Sequence, residues 1–62
     1  MTDHFRAACY AQDLVRHATA AETLKHIDAT ASLDMHGHAV ADLVKTADAL
    51  GFVVMAKTQV SA

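Results

Sequence analysis

Five histidines, one cysteine and seven acidic side chains carry most of the reactive chemistry in this 62-residue chain. They are densest in SLDMHGHAV, residues 32–40, where Ser32, Asp34, His36 and His38 fall together. Imidazole and carboxylate are suitable ligands for zinc or nickel, so His36, His38 and Asp34, with His26 nearby in sequence, are the candidate metal ligands. An H-x-H pair chelates when it lies on a strand, where residues two apart share a face. On a helix the same residues diverge by roughly 200°, and the apolar spacing that follows this stretch is helical. The stretch therefore reads as a helix start without a metal. Ser32 or Asp34 would cap it, and a carboxylate there would favour its positive end. His38 would lie between Asp34 and Asp42 on the solvent side, and His36 at the edge of the apolar stripe.

Cys9 with His4 or His17 is the second chemical pairing. A nucleophilic thiol needs a base close by and a partly exposed, electropositive setting. His4 is five positions away, and His17 shares the face only two turns on. Cys9 is expected to be a buried structural residue. A phosphate-binding glycine loop, a paired-carboxylate cleft and a nucleophile elbow are all missing from the sequence. The chain is thus read as a non-enzyme without a cofactor.

The elements that would position these residues follow from periodicity. Ala7, Tyr10, Ala11, Leu14 and Ala18 recur at helical spacing, predicting a helix over residues 3–18 with Thr2 as its cap and Asp13 and Arg16 able to pair. Thr19 and Glu22 have the spacing of a capping box, yet TLKHIDAT also suits a strand, so residues 20–29 are ambiguous. Ala39, Val40, Leu43, Val44, Ala47 and Leu50 form one apolar stripe, with His38, Asp42, Lys45 and Asp48 facing away. This predicts a helix over residues 35–50 that ends at Gly51 in the left-handed conformation. FVVMAKTQV then reads as a strand over residues 52–59, paired within the chain or across a dimer. The expected fold is a small, helix-rich α+β domain covering residues 1–62.

A chain of this size buries only about 60% of its unfolded surface, which disfavours a large active-site cleft. Hydrophobic residues are 53% of the composition and charged residues 19%. Much of the apolar share is alanine, so the core is expected to rest on Phe5, Tyr10, Leu14, Leu24, Ile27, Leu33, Leu43, Leu50 and Phe52. Such a thin core calls for a staple or a partner. A single cysteine excludes an internal disulfide and fits a reducing compartment. No long apolar run or basic, apolar leader appears, so the expected location is the cytoplasm, with no membrane contact. The formal charge of -2 is dispersed, which disfavours direct binding of nucleic acid.

Residues 22–52, ETLKHIDATASLDMHGHAVADLVKTADALGF, resemble a family of short uncharacterised phage and plasmid proteins with an S-L-D-[FM]-H core followed by an amphipathic helix. Thr23, Leu24, Leu33, Asp34, Met35, His36, Ala39, Val40, Leu43, Leu50 and Gly51 carry the likeness, over about half the chain. Here methionine replaces the family's phenylalanine, and His38 stands where a small apolar residue is common. The resemblance implies a small accessory protein of a mobile genetic element in a bacterial host cell.

On that basis the leading expectation is binding to a host or phage protein, such as inhibition of a CRISPR effector or another nucleic-acid-binding defence complex. Asp13, Asp28, Asp34, Asp42 and Asp48 would supply an acidic contact surface. The first alternative is a small dimeric DNA-binding regulator, for which the basic residues Arg6, Arg16, Lys25, Lys45 and Lys57 are scattered. The second is a structural or oligomerisation module, and a homodimer is compatible with all three.

Overall fold

The computed structural model describes residues 2–57. Two helices, α1 (His4–Leu24) and α2 (Ala29–Leu50), pack side by side as an antiparallel hairpin. No strand occurs among the described residues.

The α+β expectation is therefore overturned. Residues 52–57 follow α2 without strand structure, and the rest of the expected 52–59 strand lies outside the described residues. A run of β-branched and apolar residues has strand propensity, but a strand needs a neighbouring strand for its backbone groups, and both other long segments are helical.

Helix starts also differ from the expectation. The carboxylate of Asp3, not Thr2, caps α1 by accepting from the Arg6 amide at 2.9 Å. The helix then runs past residue 18 through the ambiguous segment to Leu24, because nothing in that alanine-rich run breaks it. Thr19 starts no new helix; its carbonyl accepts a bond from the Thr23 hydroxyl within α1.

A short turn over residues 25–27 reverses the chain, and its exit is held by the Asp28 amide donating to the Leu24 carbonyl at 2.8 Å. Asp28 then caps α2, accepting from the Ala31 amide at 3.1 Å. The helix thus begins at Ala29 instead of residue 35, and neither Ser32 nor Asp34 is its cap.

The far end of α2 agrees with the sequence. Gly51 has φ 88° and ψ 25°, its amide donates to Asp48, and the Phe52 amide donates to Ala47 at 2.8 Å. That pair of bonds closes the last turn and needs a left-handed residue at its centre. The Asp3 amide donates to the Ala49 carbonyl at 2.8 Å, which ties the two open ends of the hairpin together.

The seam between the helices follows alternating spacings of three and four. It takes Ala7, Tyr10, Leu14, His17, Ala21 and Leu24 from α1, and Ser32, Met35, Ala39, Asp42, Thr46 and Ala49 from α2. This is the heptad pattern of a coiled-coil seam, filled here mostly by small or polar residues. Ala7, Ala39, Asp42 and Ala49 are its buried members, and among the described residues no side chain is fully buried.

The expected core is corrected accordingly. Tyr10, Leu14, Leu24 and Leu50 are half-buried, whereas Phe5, Ile27, Leu33, Leu43 and Phe52 are exposed.

Candidate interaction surface

Side-by-side packing gives the hairpin two broad faces, and sequence spacing assigns their residues. Residues three and four apart on a helix are neighbours, so each face continues along both helices from the groups known to lie on it.

Ala18 and Glu22 of α1 share a shallow groove with Leu33 and His36 of α2. Continuing at the same spacing gives Ala8, Ala11, Val15, Ala18, Glu22 and Lys25 on α1. On α2 it gives Leu33, His36, Val40, Leu43, Ala47 and Leu50. Each helix thus carries a second seam of the same period as the first, and this one has no helix against it. Leu33 is 71% exposed, Val15 64%, Val40 44% and Leu43 42%. Glu22 and Lys25 are the only fixed charges on this face. They sit at its loop end and pair with each other at 2.8 Å.

The opposite face is polar. Arg6 and Tyr10 line a second groove with Lys45 and Asp48, and the Lys45 ammonium lies 5.8 Å from the centre of the Tyr10 ring, within cation-π range. The same spacing adds Asp13 and Arg16 from α1, and Asp34 and His38 from α2. Asp13 and Arg16 pair at 3.7 Å, as their spacing predicts, on an exposed surface where such a pair contributes little.

The five acids of the expected contact surface are not presented together. Asp28 is engaged as the α2 cap. Asp42, expected to face solvent, is only 7% exposed and lies in the seam, where the His17 Nδ1 donates to its carboxylate at 2.5 Å. Asp13, Asp34 and Asp48 remain exposed or half-exposed on the polar face, alternating there with Arg6, Arg16 and Lys45. Periodicity assigned Asp42 to the outside because an acid on an apolar helix usually faces water. The missed signal was His17, which occupies a seam position on the facing helix and supplies the donor a buried carboxylate requires.

The histidines separate in the same way. His36 lies with Leu33 on the apolar face, where the edge of the stripe was expected. His38 lies on the other flank of α2, its ring stacked on that of His17 with centroids 5.1 Å apart. Helical geometry thus parts His36 and His38, and among the described residues no three potential ligands gather into a metal site. Cys9 is exposed, against the expectation of a buried thiol, because α1 turns the flank carrying it away from the seam. No helix among the described residues is long and apolar enough to cross a membrane.

Comparisons with protein-family models, curated proteins and solved structures return no match. The interaction surface is therefore read from the geometry of this chain.

Proposed function

We propose that the chain is a non-enzymatic protein-binding module that works through the face bearing Leu33, Val40 and Leu43. One observation carries this reading: Val15, Leu33, Val40 and Leu43 are exposed together on a heptad seam that has no helix against it. A contiguous apolar surface of this kind marks an interaction site, and an amphipathic helix face is a common form of one.

The finer reading is that of a small mobile-element protein that occupies a host or phage protein, with inhibition of a CRISPR effector as its leading form. The S-L-D-M-H resemblance and the small size of the chain support it. The alternative of a DNA-binding regulator is less well supported, because on the polar face Asp13, Asp34 and Asp48 interleave with Arg6, Arg16 and Lys45. Phosphates approaching that face would meet carboxylates as often as cations.

The reading is tested by expressing the chain in a host whose CRISPR effector restricts a phage, and by recovering the tagged protein from that host. Restored plaque formation and retention of the effector are expected, both lost in a Leu43→Glu variant that keeps its helicity. Equal retention by wild type and Leu43→Glu contradicts the assigned surface. Failure of the wild type to restore plaques contradicts the inhibitor reading.

A further inference from the structure

The apolar face has two unlike halves. The α1 half is shallow, with Ala11 and Ala18 on either side of Val15, whereas the α2 half projects Leu33, Val40 and Leu43. Large side chains opposite small ones interdigitate, and large opposite large do not. A face divided in this way is complementary to itself after a two-fold rotation.

We infer that the occupant of this face is a second copy of the chain, set so that the α2 half of each copy covers the α1 half of the other and closes a four-helix bundle. The inference rests on the binding reading above and makes a second copy the direct occupant of this face, so that a host protein is met by the two-chain species and Leu43→Glu acts on that binding through loss of the dimer. Such an interface uses the same patch on both copies and closes on itself, which is the commonest symmetry of soluble oligomers.

The dimensions call for a second layer. The Cα atoms span only 11 Å in the thinnest direction, one layer of helices, whereas stable domains close a core between two packed layers.

Charge points the same way. Glu22 and Lys25 neutralise each other at one end of the face, and the remainder carries no acid or base apart from His36. A strongly basic or acidic partner finds nothing to pair with there, whereas a second copy brings an equally uncharged surface.

Sedimentation equilibrium of the full chain, with circular dichroism on the same samples, tests this. Wild type is expected at twice the single-chain mass, with helicity that falls on dilution as the dimer dissociates. Leu43→Glu places a carboxylate in the interface twice per dimer and is expected to weaken dimerisation by at least about a hundredfold. Ala41→Glu, on the polar face, is expected to leave the mass unchanged. If Leu43→Glu unfolds, the wild-type mass and its concentration dependence still decide the matter. A wild type that stays helical at single-chain mass throughout overturns the pairing, as does a dimer equally weakened by Ala41→Glu. A helical monomer that loses its protein partner on Leu43→Glu overturns the pairing and leaves the binding reading in place. A two-chain species that captures no partner does the reverse.

Discussion

The hairpin carries two seams of the same heptad period, one closed and held partly by polar bonds, the other open. The closed seam between α1 and α2 holds alanines, a serine, a threonine and the His17–Asp42 pair, with Tyr10, Leu14, Leu24 and Met35 as its larger members. The open seam holds alanines too, at residues 8, 11, 18 and 47, with Val15, Leu33, Val40, Leu43 and Leu50 as its larger members and no polar bond across it. Small residues let two helices approach closely, and directional bonds then set their register. The Ser32 hydroxyl donates to the Ala21 carbonyl at 2.6 Å near the turn, and His17 meets Asp42 further along. Bonds of this kind specify one alignment but contribute modestly to stability, about 1 kcal/mol each. Burial of apolar area supplies more, and Val15, Leu33, Val40 and Leu43 are still exposed. The hairpin is therefore the positioning half of a structure whose stabilising half is the open face.

Changes to the two seams should differ accordingly. The largest effect belongs to the open seam, through Leu43→Glu and its loss of dimer. In the closed seam, Asp42→Ala leaves His17 without its partner and is expected to cost about 1.5–3 kcal/mol in a denaturant titration. Replacing both residues with leucine should cost less than Asp42→Ala alone, because no polar group is then left unsatisfied. A double variant worse than the single one would mean that the pair contributes more than register.

The two glycines separate backbone effects from packing in either seam. An added Cβ meets nothing within 4 Å at either position, so neither substitution alters a contact. Gly51→Ala forces a side chain into the left-handed region at φ 88° and should cost about 1–2 kcal/mol in thermal unfolding. Gly37→Ala, inside α2 and exposed, should raise stability by about 0.5–1 kcal/mol by restricting the unfolded chain. Equal effects at the two positions would contradict the assigned end of α2.

The same contrast explains which parts of the structure were legible. Gly51 as the end of α2 and the pairing of Asp13 with Arg16 could be read locally, since each depends on residues within one turn. The apolar stripe Ala39, Val40, Leu43, Val44, Ala47 and Leu50 was also legible as a stripe, but it was taken for the face packed inside the chain, whereas of its members Ala39 alone is buried. Periodicity shows that a face is apolar and does not say which copy buries it. The seam in use, running through Ala39, Asp42, Thr46 and Ala49, was hidden because alanine, aspartate and threonine give little hydrophobic signal. The Asp28 cap was obscured by the competing signals of Ser32 and Asp34, both of which lie inside the helix. The strand expected after Gly51 followed from propensity alone, and propensity without a neighbouring strand does not make one. Among the candidate site residues, His36 was placed at the stripe's edge, whereas the burial of Asp42 required knowing that His17 stands opposite.

The central claim, that the open seam is packed against a second copy, is tested most directly by the melting temperature of the unmodified chain as a function of its concentration. Folding coupled to dimerisation makes that temperature rise as the chain is concentrated, because association stabilises the folded state by mass action. A steady rise from micromolar to millimolar chain is the predicted result. A melting temperature that stays constant across that range, with the helices intact below it, would contradict the account.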